Sequence, residues 1–217
     1  MFAVAAALTE MAGWMAHDSG QGDLAARHFS RALPLARTSG DLPLAANVAA
    51  SNSHLALQMG DTAGASGWAQ TGLDLAGRGP RIPSLTARLH TMHARALAAG
   101  AQHTSAVRAL ETAQDGLDAS VDAAHPWLSP FDAAALASES ALILRDLGQY
   151  DQALTQAERA VALREAGRTR SLALSRIVLV DIHVRRGDLD AAVSVGHELL
   201  SMSPTLGSIR VVHHLED

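Results

Sequence analysis

The sequence predicts an all-α protein built from about five helical hairpins, and three observations lead there. Glycines recur at Gly20, Gly60, Gly100, Gly148 and Gly187, at spacings of 40, 40, 48 and 39, and glycine tolerates the turn conformation that ends a helix. After each one, small or apolar residues follow at i, i+4 and i+7, as in Ala153, Ala157 and Ala160. Such a stripe lies on one helical face and lets another helix approach closely. Aromatic residues make up only 3% of the chain against 48% hydrophobic, so the core must come mainly from Ala, Leu, Val and Met. That composition suits close helix packing better than a β-sandwich.

Taken in order, the first helices of the hairpins are expected over 2–18, 42–59, 83–99, 131–147 and 170–186. The second helices follow over 22–38, 62–77, 103–118, 150–165 and 189–202. Their stripes are Ala25, Phe29 and Ala32; Ala65, Ala69 and Gly72; Ala106, Leu110 and Ala113; Ala153, Ala157 and Ala160; and Ala192, Gly196 and Leu199. The third stripe starts one residue later relative to its glycine than the others. Pro34 lies inside a predicted helix and is expected to kink it or end its regular part early. Asp41 before Leu42-Pro43 reads as a helix start, with Asp as N-cap and Pro in the first turn. The run Arg78-Gly79-Pro80-Arg81-Ile82-Pro83 breaks the second hairpin from the third. The spacing of 48 reflects an insertion at 121–131, whose two prolines and two aromatics predict a packed loop, either a plug over the junction of the third and fourth hairpins or a lid or wall of a binding site.

The two ends differ. Residues Ser208 to Leu215 are expected to form a short C-terminal capping helix after Pro204. Met1 falls inside the first predicted helix with no polar cap before it, whereas end repeats normally need a polar outer face. Either a partner covers that edge or a preceding segment does.

Charge and composition exclude several function classes. The net charge of −5, from 17 basic and 22 acidic residues, argues against a nucleic-acid footprint, which needs clustered positive charge. The basic residues are all Arg. The absence of Cys removes disulfides, thiolate catalysis and Cys-ligated zinc. The apolar run Met1 to Leu8 is too short to span a bilayer and lacks a basic leader region, so a cytoplasmic protein without membrane association is expected. Among eleven His, His90 and His93 stand only three apart, and His213 and His214 are adjacent; no metal site follows. No nucleophile elbow, phosphate loop or nucleotide fingerprint is present, so neither an enzyme nor a cofactor is expected.

The stretch Ala141 to Leu163, ALILRDLGQYDQALTQAERAVAL, resembles a tetratricopeptide repeat. That likeness implies a right-handed superhelix of about five such hairpins, a single domain over 1–217. Residues 8–20 (LTEMAGWMAHDSG), 27–33 (RHFSRAL), 49–54 (AASNSH) and 126–132 (PWLSPFD) further resemble the C-terminal tetratricopeptide region of actinobacterial helix-turn-helix transcriptional regulators of the Xre type. In that family a DNA-binding domain precedes the repeats; none precedes them in this sequence. The resemblance therefore implies the sensor or dimerisation half.

The resemblance also implies that first helices line the inner wall, with inward positions about 10, 6, 3 and 2 residues before each glycine. Among these, Glu10, Trp14, His17, His54, Gln58, His90, Ser138, Arg145, Asp181 and Arg185, with Asn47 one turn further back, are the candidate ligand-binding residues. An Asn amide can bridge a peptide backbone, and an Arg can clamp a carboxylate with two parallel bonds. The expected function is a regulatory binding module for a peptide, a small acidic ligand or a partner protein. The alternatives are the sensor half of a transcriptional regulator and a scaffold without ligand. A homodimer through the uncapped first helix is a further expected partner.

Overall fold

The computed structural model describes residues 1–118, 125–164 and 169–202. Among them are ten helices and no strand. In order they are α1 Phe2–Asp18, α2 Gly22–Ser39, α3 Leu42–Gln58, α4 Thr62–Gly77, α5 Pro83–Ala99, α6 His103–Asp118, α7 Ala133–Asp146, α8 Tyr150–Leu163, α9 Thr169–Arg186 and α10 Leu189–Met202. The expected helices are present within two residues of their predicted bounds. The capping helix predicted at Ser208 to Leu215 lies outside the described residues. No helix among the described residues is long and apolar enough to cross a membrane.

Every hairpin turns the same way, and its hydrogen bonds show how. The N–H of Gln21, Asp61, Gln102, Gln149 and Asp188 each donates to the carbonyl five residues earlier, at 2.8–2.9 Å. The residue just before each of them bonds to the carbonyl three residues back. This pair of bonds is the Schellman helix end, which places one residue in the left-handed region. That residue is Gly20, Gly60, Gly148 or Gly187 in four hairpins, with φ between 73° and 82°, but Ala101 in the third, with φ 58°. Gly100, the expected turn glycine, has an ordinary φ of −86°. Counted from the left-handed residue, the spacings become 40, 41, 47 and 39, and Ala25, Ala65, Ala106, Ala153 and Ala192 all stand five residues after it. The displaced stripe of the third hairpin is thus in register after all.

The chain divides into two compact units, Met1–Asp132 and Ala133–Asp217. In the first, α1 packs on α2 and α3, and α3 packs also on α4 and α5. The small-residue stripes are buried as predicted, with Ala25, Phe29, Ala32, Ala65, Ala69, Ala106 and Ala113 fully enclosed. Phe29 sits so close to Gly13 that a methyl group there would meet its Cδ1 at 2.6 Å. Glycine is needed at that crossing of α1 and α2.

α3 is enclosed most completely, with Pro43 through Ser53 buried on every side. Its start is set by Asp41, whose Oδ1 accepts from the N–H of Leu44 at 3.0 Å, with Pro43 in the first turn. Pro34 does not end α2, which continues to Ser39. Pro34 and Ser30, whose carbonyl loses its usual donor, both face solvent, where water can replace the missing bond. Of the insertion, residues 125–131 are described. His125 Nε2 lies 3.2 Å from Asp41 Oδ1, Leu128 packs on the core around Leu44 and Leu85, and Phe131 is buried. The loop is packed, and its described contacts reach back to Asp41 and the core around Leu44 and Leu85, not to the junction of the third and fourth hairpins.

In the second unit, α7 packs on α8 and α9, and α9 on α8 and α10. Ala153, Ala157 and Ala160 are buried on α8, while Ala173 and Leu199 join α9 to α10, with Leu174, Ile177 and Met202 around them.

Candidate functional site

The first helices of the first unit carry a polar seam inside an otherwise aliphatic layer. Glu10 on α1 is 5% exposed. Its Oε1 accepts from Asn47 Nδ2 at 2.9 Å and from Ser51 Oγ at 2.7 Å, both on α3. Asn47 Oδ1 in turn accepts from Arg88 Nη1 of α5 at 2.5 Å. Three helices are thereby joined from carboxylate through amide to guanidinium. Burial raises the pKa of Glu10 above its ordinary value. The hydrogen bond from Ser51, the charge of Arg88 and the bonds from Asn47 and Trp14 oppose that shift without cancelling it.

Beside the seam lies a cluster of rings. Trp14 Nε1 donates to Ser51 Oγ at 3.2 Å, which fixes the indole. Its ring centroid is 5.4 Å from His17, 5.4 Å from Phe29 and 5.3 Å from His54, and the two imidazoles are 5.4 Å apart. These are edge-on and tilted contacts of the kind aromatic rings favour. Trp14 and His54 are half-buried and His17 is buried. Gln58, one turn beyond His54, is exposed.

The structure therefore brings Glu10, Trp14, His17, Asn47 and His54 together. Glu10 and Asn47 bond each other across a buried interface. Trp14, His54 and Gln58 are the members that keep accessible surface.

His90 is displaced by the shift of register. With Ala101 as the turn residue, the slot matching Glu10 is Thr91, and the slot matching Trp14 and His54 is Arg95. His90 is half-buried one position away from that row. Its pKa is lowered, first by burial and then by the charge of His93, which is itself lowered by burial. Ser51, Arg88 and Arg95 escaped the sequence reading. The late start of the Ala106 stripe was the signal that would have found the last two, since it marks the true turn residue.

In the second unit, Arg145, Asp181 and Arg185 also come together. Asp181 Oδ2 accepts from Arg145 Nη1 at 2.9 Å, and its Oδ1 accepts from Arg185 Nε at 2.9 Å. Arg145 bonds its neighbour Asp146 as well, at 2.6 and 2.8 Å. Hydrogen bonding to Asp181 raises the pKa of Arg185 further. The carboxylate these guanidiniums clamp here is the chain's own. Ser138 is half-buried on the same helix as Arg145. Among the described residues no group of three or more His, Asp or Glu is placed to hold a metal ion.

No protein-family model and no curated protein sequence matches the chain. Solved structures do match over most of its length. The Rap protein complexed with Competence and Sporulation Factor aligns with a TM-score of 0.72 at 17% identity, over 96% of this chain and 54% of that one. The present chain thus spans about half the length of Rap. The nearly identical TPR-like repeats of a putative kinesin light chain from Podosopora anserina align at 0.54, with 16% identity over 92% of this chain and 96% of that one. Cut9 in the APC/C hetero-tetramer Cut9-Hcn1 aligns at 0.57, with 17% identity over 94% and 34%. At such identities the likeness is one of fold, and the fold is that of tetratricopeptide-like helical hairpins.

Proposed function

We propose that the chain is a cytoplasmic, non-enzymatic regulatory module that binds a peptide segment or partner protein on the face of its first helices. The observation that carries this reading is the repeat slot six residues before each left-handed turn. In α1, α3 and α5 that slot holds Trp14, His54 and Arg95, and the first two are in ring contact. A layer serving only as packing would carry small or aliphatic residues there. A row with an indole, an imidazole and a guanidinium combines apolar area with hydrogen-bonding capacity, the composition that dominates binding hot spots. Gln58 extends the row with an exposed amide. In the second unit that slot holds Leu142 and Asp181, and Asp181 gathers Arg145 and Arg185 from nearby slots into an ion-pair cluster that offers charge to a partner. Arg145 and Arg185 would exchange part of their bonding to Asp181 for a ligand carboxylate.

Two of the similar proteins support a binding role for this fold. Rap is seen complexed with Competence and Sporulation Factor, and Cut9 with Hcn1. A place in transcriptional regulation is the second reading, supported by the run Ala12-Gly-Trp-Met-Ala-His-Asp18 that resembles Xre-type regulators. Self-association belongs to a different face, the outer side of α1.

Capture from a native lysate on immobilised chain, followed by titration of the captured species, tests the reading. Substituting His54→Ala with Gln58→Ala, or Arg145→Ala, is expected to weaken binding at least tenfold. Unchanged affinity in both variants would remove the first-helix face from the mechanism.

A further inference from the structure

We propose that the outer side of α1 is a stacking face that pairs with α1 of a second copy of this chain, antiparallel about a two-fold axis between Leu8 and Met11. The proposal is independent of the binding role assigned to the first-helix face, and it starts from an asymmetry of exposure. The exposed residues of α1 are Phe2, Val4, Leu8, Met11 and Met15, all apolar and all at least 45% exposed. On α2 the exposed residues are Asp23, Arg27, Ser30, Arg31, Pro34, Arg37 and Thr38, an ordinary solvent face. An apolar helical stripe with no polar residue on its exposed side marks an interaction site.

The repeat register shows which kind of surface this is. Val4, Leu8, Met11 and Met15 stand 16, 12, 9 and 5 residues before Gly20. The same offsets from Gly60 are Leu44, Val48, Ser51 and Leu55, and from Ala101 they are Leu85, Leu89, Met92 and Ala96. All eight of those are at most 4% exposed. What covers them is the preceding hairpin: Ser51 meets Glu10 of α1, and Leu89 lies against Gly72 of α4. The stripe on α1 therefore occupies the register positions on which helices of this protein stack, and here it is exposed.

Two features favour a second copy as the occupant. The only charged residue between Phe2 and Met15 is Glu10, which is buried, so two copies bring no like charges together. The gaps along Val4, Leu8, Met11 and Met15 are four, three and four residues. That order reads the same in both directions, so antiparallel pairing sets Val4 against Met15 and Leu8 against Met11 at the same time. A two-fold contact requires such self-complementarity. The stripe with Met1 offers on the order of 600 Å² per copy, somewhat below the roughly 800 Å² of a standard interface. A weak dimer follows, forming at micromolar concentration.

Sedimentation of the full chain between about 1 and about 100 µM, a range that brackets such an affinity, tests this. A monomer–dimer equilibrium is expected, with the dimer lost in Leu8→Glu. Since Leu8 is exposed, the thermal midpoint of that variant should match the parent at the lowest concentration. The register has its own test, because the chain has no Cys. Under mild oxidation, a mixture of Val4→Cys and Met15→Cys chains should cross-link. Met15→Cys alone should not, since two copies of that position lie about 16 Å apart along the pair, beyond the roughly 7 Å reach of a disulfide. A monomer throughout the range, polymers that lengthen with concentration, or efficient cross-linking of Met15→Cys alone would each overturn the proposal.

Discussion

Asn47 Nδ2 donates to Glu10 Oε1 at 2.9 Å across the contact of α3 with α1, and this bond anchors the buried polar seam of the first unit. Burial raises the pKa of Glu10, so folding disfavours its ionised form relative to the unfolded chain. The contribution of such a group is fully present below its unfolded pKa and is lost as pH rises through the folded value. Glu10→Gln keeps an Oε1 acceptor for Asn47 and Ser51 but carries no charge. The variant is therefore expected to gain stability over the parent as pH rises from 4 to 8. Glu10→Ala takes the acceptor from Asn47 Nδ2 and the closer acceptor from Ser51 and should cost roughly 2–4 kcal/mol. Urea denaturation across that pH range measures both, and a Glu10→Gln difference that does not change with pH would refute the assignment.

Ala101 holds a left-handed conformation that glycine fills in the four matching turns, a strained choice for a residue with a Cβ. Ala101→Gly should raise the unfolding free energy by about 0.5–1 kcal/mol. Gly60→Ala, where open space surrounds the added carbon, should lower it by a similar amount. Denaturation midpoints at constant slope decide the matter, and destabilisation by Ala101→Gly would contradict it.

Gly13 and Gly116 should respond to the same substitution with opposite sign. A methyl group at Gly13 meets Phe29, whereas one at Gly116 meets nothing within 4 Å. Gly13→Ala is expected to cost about 1–3 kcal/mol through overpacking. Gly116→Ala, inside α6, should stabilise by up to about 1 kcal/mol through helix propensity. Thermal melts of the two variants beside the parent give the comparison.

His90 and His93 are both held below their ordinary pKa, chiefly by burial. For a base with a depressed folded pKa, stability is present above the unfolded value and falls as pH drops through the window beneath it. The protein should lose stability as pH falls below about 6.5, the unperturbed His value. Replacing both by Gln should flatten that loss. Melting temperatures at pH 7.5 and pH 5.5 read the effect, and an equal drop in parent and variant would place the acid sensitivity elsewhere.

Much of the fold was legible in the sequence because the hairpin is a local object. Its length, its small-residue stripe and the Asp41 cap act over a few turns of helix, and they set the helix bounds almost everywhere. Legibility failed at Gly100, where a glycine stood beside the true turn residue and composition outvoted register. The late start of the Ala106 stripe points to Ala101, and the backbone hydrogen bonds establish it, and with it the row that aligns Arg95 with Trp14 and His54. The sequence likewise singled out Glu10, Trp14, Asn47 and His54 as polar or aromatic residues in an aliphatic layer. It did not reveal that Glu10 and Asn47 bond each other while Trp14 and His54 keep surface. That division depends on distances between helices 37 residues or more apart in the chain, and such distances arise from packing, to which no local pattern of residues gives access.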